Sequence, residues 1–160
     1  MNEPPRSRAT RSLDRRVLAR AFGFLGPLQA GLALALIPLG ATLFRDWHPG
    51  RPLPADRFSV SLLSTLIFAS IVLMQLVNAF ECRSTPRSVF RLPFFSNHLL
   101  PGSVAIALGL LLAAIYVPGL KSGLGQTPLH LPEWLIAGST ALIFLGAEEL
   151  RKAVVRFHHR

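Results

Sequence analysis

The sequence predicts an all-α membrane protein, four transmembrane helices folded as two hairpins with both termini on the cytoplasmic side. Two observations carry most of this. First, 51% of the 160 residues are hydrophobic and they come in blocks. No charged residue occurs between Arg20 and Arg45, between Arg57 and Glu81, or between Arg91 and Lys121, and each gap exceeds the roughly 20 residues a helix needs to cross hydrocarbon. A fourth segment has only 14 charge-free residues, between Glu133 and Glu148. Second, the basic residues are placed unevenly. Of 17 Lys and Arg, six lie in residues 1–20, three from Arg83 to Arg91 and four after Glu148, against Arg45, Arg51, Arg57 and Lys121 elsewhere. Thirteen against four is a positive-inside bias, and it orients an even number of spans with both ends in the cytoplasm. The net charge of +9 therefore reads as topology, with anionic lipid as its natural contact, and not as a nucleic-acid partner.

Residues 1–20 form an Arg-rich cytoplasmic segment. It is polar, and the apolar stretch after it is too long for the core of a cleavable signal, so the first span is expected to stay as an anchor. Span one covers about 21–44; Pro27 and Pro38 should bend it, because each removes a backbone donor and frees a carbonyl. The stretch "RDWHPGRPLPADR" cannot continue a helix through Pro49, Gly50, Pro52 and Pro54. Span two covers about 58–80. An inner loop, "ECRSTPRSVFRLPFFSN", joins the hairpins; Phe90, Phe94 and Phe95 beside Arg87 and Arg91 suit a segment lying along the membrane interface, and Asn97 can cap the next helix.

Span three covers about 97–118 and span four about 131–154, joined by "GLKSGLGQTPLHLPE", with residues 155–160 as a cytoplasmic tail. Ala105, Gly109 and Ala113 make a small-residue strip on span three, and Gly138 and Gly146 a similar one on span four, each a surface where a second helix can approach closely. Trp47, Tyr116 and Trp134 fall near outer boundaries, where amphipathic rings collect. Span four is expected to leave Glu148, Glu149, Arg151 and Lys152 at or near the cytoplasmic interface; the alternative for Glu148 or Glu149 is to face the bundle from inside the membrane, where either would be a proton or ion site. The single Cys82 excludes an intramolecular disulfide.

There is no Gly-rich phosphate loop, no metal-spaced Cys/His cluster and no nucleophile elbow. His158 and His159 are adjacent, about 100° apart on a helix, and make a poor chelating pair. The remaining candidates are polar groups inside spans: Gln29 in span one, Ser61, Ser64, Thr65, Ser70, Gln75 and Asn78 in span two, Ser139 and Thr140 in span four. Gln75 and Asn78, three residues apart, share a helix face. Two uses are open to them. They can hydrogen-bond neighbouring helices, or they can present carboxamide oxygens to a hard cation.

Several stretches, in order, resemble P-type cation-transporting ATPases of the calcium-pump class. "MNEPPR" is similar to the segment after their sixth transmembrane helix, and "FLGPLQA" to the seventh. "QLVNAFECRS" and "SVFRLPFFSN" are similar to the end of the eighth helix and the loop after it, and "IYVPGL", "PLHLPEWL" and "EELRK" to the end of the ninth and the tenth. The resemblance implies helices seven to ten of such a pump, a C-terminal region that supports a six-helix transport core. It also implies that Gln75 stands where the family places a cation-binding carboxylate, so that Gln75, with Asn78, is the cation-site candidate here. The family's phosphorylated Asp-Lys-Thr-Gly motif and nucleotide-binding domain have no counterpart in these 160 residues. The expectation is therefore a detached or truncated pump domain, a gene remnant or split-gene product, that hydrolyses no ATP alone, binds no cofactor and pairs with the N-terminal core of a P-type ATPase in the plasma (cell inner) membrane. The competing expectation is a stand-alone four-helix scaffold or regulator; an autonomous channel is disfavoured because the spans hold no buried acidic pair.

Overall fold

The structure is a computed structural model, and it describes residues 15–82 and 99–158. The expected interfacial segment with Phe90, Phe94 and Phe95, the Asn97 cap, the Arg-rich residues up to 14 and His159 lie outside the described residues. Every regular element among the described residues is helical: α1 (Arg15–Arg20), a π-helical turn (Ala21–Leu25), α2 (Gly26–Arg45), α3 (Arg57–Glu81), α4 (Leu99–Tyr116), α5 (Pro118–Leu124) and α6 (Leu131–His158). The stretch Leu18–Arg45, α3 and α4 are each long and apolar enough to cross a membrane. The helix α6 covers the expected fourth segment and runs on through His158, so residues 155–158 extend the helix where a tail was expected.

The first span departs from α-helical geometry just before Pro27, whereas α2 runs on through Pro38. Pro27 has no N–H to return to the preceding turn, and that turn opens into the π-helix, with the Gly26 N–H bonded five residues back to the Ala21 carbonyl. At Pro38 the freed region is tightened by Thr42, whose hydroxyl donates to the Pro38 carbonyl at 2.8 Å. The helix ends at Asp46, held in the left-handed region at φ 51°, a place that Asp tolerates better than most non-glycine residues. Asp56 then caps α3, accepting from the Ser59 N–H at 3.0 Å and the Ser59 hydroxyl at 2.6 Å. These bonds hold its carboxyl below the ordinary carboxylate range, with Arg45 a smaller contributor.

The Gly/Pro-rich link after α4 is not wholly irregular. Pro118 occupies the first helical position and Gly125, at φ 66°, the left-handed position after the last, and between them a short helix forms. The same residues that argue for a break also bound a two-turn helix. At the start of α6 the Glu133 carboxylate reaches back to accept from the His130 N–H at 2.8 Å, half of a capping box.

The central element is α3, which packs against α2, α4 and α6. One core cluster joins Leu62, Leu66 and Ala69 to Leu111 and Ile115 of α4 and Ala137 of α6; a second joins Leu25, Met74, Ala141 and Phe144. Outside the bundle the helices are greasy: Leu34 and Leu43 of α2, Ile106 and Leu110 of α4, and Leu135, Leu142 and Ile143 of α6 are all exposed. An apolar exterior is what a bilayer solvates, and with no hydrophobic drive between spans close packing has to hold them together.

That packing corrects two expectations. The strip on α4 faces outward: a Cβ placed on Gly109 would meet nothing within 4 Å, and the same holds for Gly138 and Gly146 on α6. The close approach is instead at Gly40 of α2, where a Cβ would stand 2.7 Å from Leu63 Cδ2 and 3.2 Å from Leu66 Cδ2. Spacing of small residues marks a surface that can admit a helix; it does not say which of several such surfaces this chain uses on itself.

Candidate functional site

Most of the polar decoration of α3 serves the fold. The Ser61 hydroxyl donates to the Gly125 carbonyl at 2.6 Å and also lies 2.6 Å from the Thr127 hydroxyl. The Thr65 hydroxyl donates to the Ser61 carbonyl at 2.7 Å and accepts from the Thr127 N–H at 2.9 Å. Together they fasten the segment after α5 to the first turns of α3. Ser70, Ser139 and Thr140 each donate to a carbonyl of the preceding turn, the usual resting state of a hydroxyl inside a helix. The predicted boundary aromatics are likewise tied down, with the Trp134 indole N–H donating to the Tyr116 hydroxyl at 2.8 Å and that hydroxyl donating to the Leu129 carbonyl at 2.6 Å.

The two carboxamides behave differently. Gln75 is exposed on the side of α3 away from the core, six residues before Glu81 and thus about 9 Å along the helix from that end. Its Nε2 donates to the Gln29 Oε1 of α2 at 3.1 Å. Asn78, half-buried, accepts from the Cys82 thiol, Sγ to Oδ1 3.7 Å. Sharing a helix face does not make the pair converge. One carboxamide is shared with span one, and the other closes the end of its own helix. Gln29 joins Gln75 because α2 and α3 are neighbours, a contact that spacing along either segment does not report. A cavity of about 820 Å³ at the Arg57 end of α3 has Arg57, Ser64 and Lys121 in its lining; neither carboxamide reaches it.

The unforeseen feature is a buried ion network where α1, α3 and α6 meet. Glu81, Glu148 and Lys152 are all 0% exposed, which corrects the expectation of no buried acidic pair: two carboxylates are buried, each against a cation of another helix. Lys152 pairs with Glu81 across the α3–α6 contact, and its Nζ also lies 3.5 Å from Glu149 Oε1. Glu148 is gripped by Arg151 through two bonds of 2.7 Å and by Arg20, Nη2 to Oε1 2.5 Å. Glu148 thus faces the bundle, the alternative weighed for it above, and Lys152, expected at or near an interface, faces inward with it. The signal was present in the spacing: Ala137, Ala141, Phe144, Glu148 and Lys152 recur at three and four residues and lie on one face, so burying the apolar members buries the charged ones. Arg20 and Glu81 carry no such signal, since each closes a span in the sequence. Such a network is stable only because each charge has an opposite partner.

The family described as "Cation transporting ATPase, C-terminus" matches residues 1–154. The chain belongs to this family. It is the C-terminal region of a P-type calcium-class ATPase, and it is similar along nearly all of its length to much longer proteins. The mouse "Calcium-transporting ATPase type 2C member 2" is 31% identical over 152 residues, which are 94% of this chain and 15% of that protein. The budding-yeast "Calcium-transporting ATPase 1" is 24% identical over 98% of this chain and 15% of its own length. The Bacillus subtilis "Calcium-transporting ATPase" is 34% identical over 52% of this chain and 9% of its own. The chain thus spans about one-seventh of the length of the relatives it matches from end to end. Membership makes the helices above an integral, multi-pass membrane domain of that family.

Proposed function

We propose that these residues act as the supporting bundle of a P-type cation pump, docked on a transport core that carries the ATP chemistry, and that they hydrolyse no ATP alone. In this reading α6 is the fourth span and both ends of the chain lie on one side of the membrane. The observation that carries it is the Gln29–Gln75 pair: two carboxamides on the outer side of the α2–α3 contact, inside the span, where lipid offers nothing to hydrogen-bond. Their single mutual bond uses a fraction of their donors and acceptors, and a helix of a transport core laid on that face would meet the rest. The names of the relatives make Ca²⁺ the first cation to try. Gln75 and Asn78 would contribute neutral oxygens to it, and an amide in place of a carboxylate lowers the charge offered to a divalent ion.

The test is co-expression of the chain with a P-type ATPase core ending after its sixth helix. Co-purification and Ca²⁺-stimulated ATP hydrolysis that requires the chain support the reading, and Gln75→Leu should lower that stimulation. A chain that purifies alone as a stable monomer or homo-oligomer, with no effect on hydrolysis, would instead be the stand-alone scaffold. Cell fractionation separates the plasma membrane expected above from the endoplasmic reticulum, for which an Arabidopsis thaliana relative is named.

A further inference from the structure

We infer that α6 is a conditional membrane span, one that crosses only because Arg20 and Glu81 of the preceding spans receive its buried charges. The inference rests on the reading of α6 as the fourth span. Among the described residues, Leu18–Arg45, α3 and α4 meet the length and apolarity for crossing by themselves. In α6 the charge-free core from residue 134 to 147 is about 21 Å long at 1.5 Å per residue, against about 30 Å of hydrocarbon. Charged residues therefore have to enter at least one margin of the bilayer.

Charged side chains at a span's end can snorkel outward to the headgroups. Those of α6 do not. Leu135, Leu142, Leu150 and Val154 cover its exposed faces, whereas Glu148 and Lys152 point inward with no accessible surface. Their partners are side chains of opposite sign, Arg20 for Glu148 and Glu81 for Lys152. Both partners come earlier in the chain, on elements that have entered the membrane before α6 is complete. The local partners, Arg151 for Glu148 and Glu149 for Lys152, travel with α6 itself, so among the described residues the dependence on the rest of the bundle resides in Arg20 and Glu81.

The main test leaves α6 unaltered, and only the charge exchange that checks it alters α6, at Lys152. The full chain is translated into microsomes with a glycosylation reporter joined to Arg160 by a flexible linker; an inserted α6 leaves the reporter unmodified, on the side of the N-terminus. Glu81→Gln together with Arg20→Gln should raise the ratio of glycosylated to unmodified chain by about fivefold or more, whereas Arg16→Gln, which removes the same charge four residues earlier, should not. The exchange of Glu81→Lys with Lys152→Glu should restore the wild-type ratio. An unchanged ratio in the double variant, or failure of the exchange to restore it, overturns the inference while the four-span reading stands. A wild-type chain whose reporter is fully glycosylated overturns the four-span reading itself.

Discussion

The two ends of the bundle are held by opposite chemistry. At the end defined by Arg20 and Glu81, three helices are joined by ion pairs in which Glu81, Glu148 and Lys152 are fully buried and Arg20 nearly so. At the other end, α3 is joined to the α5–α6 link by hydroxyls and backbone groups, Ser61, Thr65 and Thr127, and α4 to α6 by Tyr116 and Trp134. Neutral hydrogen bonds of this kind are individually modest and fail one at a time. An ion pair out of water is different: it contributes little over a well-packed apolar pair, yet losing one member leaves a stranded charge. The neutral end is thus tolerant of change, and the charged end is brittle to single changes and indifferent to paired ones.

The sharpest way to break this comparison is at Lys152. Lys152→Met should destabilise the bundle by about 3–5 kcal/mol by stranding Glu81, read as the midpoint of unfolding in mixed detergent micelles. Glu81→Met with Lys152→Met should return close to wild type or pass it; a double variant as unstable as the single one would mean that the pair supplies net stability and that the contrast is wrong. Next comes the close approach of α2 to α3 at Gly40. Gly40→Val should cost about 1–3 kcal/mol by overpacking Leu63 and Leu66, while Gly109→Val, on the open face of α4, should be near neutral in the same assay.

At the neutral end, Thr65→Val removes an acceptor for the Thr127 N–H and should cost about 1–2 kcal/mol. Loss on the scale of the Lys152 variant would show that this end is equally brittle. The smallest effect is expected at Asp56. Its carboxyl is held below its ordinary value by the Ser59 bonds, so its contribution is complete above the usual carboxylate range and fades as the pH falls through its lowered folded value. Asp56→Asn keeps a capping oxygen but cannot titrate, and should flatten the acid limb of the stability profile by slightly lowering its neutral plateau.

Much of the fold was legible because membrane spans are written in a coarse alphabet. Charge-free runs located α2, α3 and α4 within a few residues and prolines located the π-turn, whereas the Asp56 cap on α3 emerged only from the structure. The site was less legible. Gln75 was singled out on its own helix, but its partner Gln29 is 46 residues away, and Asn78, on the same face, turns to Cys82. The charged end was misread in direction because Glu148 and Lys152 could be judged along the chain but not around the helix until the stripe they share was seen to pack on α3.

By itself, then, the sequence determined that this is a helical membrane domain, where its apolar helices run, and that its chemistry is confined to a few amides and end-of-helix charges. Hydropathy and charge are one-dimensional properties, and the bilayer sorts them one-dimensionally, along its normal. Only the tertiary structure decided which faces meet: Gly40 against Leu63 where glycine strips elsewhere stay bare, Gln29 beside Gln75, and Lys152 turned inward to Glu81. Those choices lie in the membrane plane, where every face is apolar and lipid competes on nearly equal terms, so that fit and charge complementarity between particular side chains settle the arrangement.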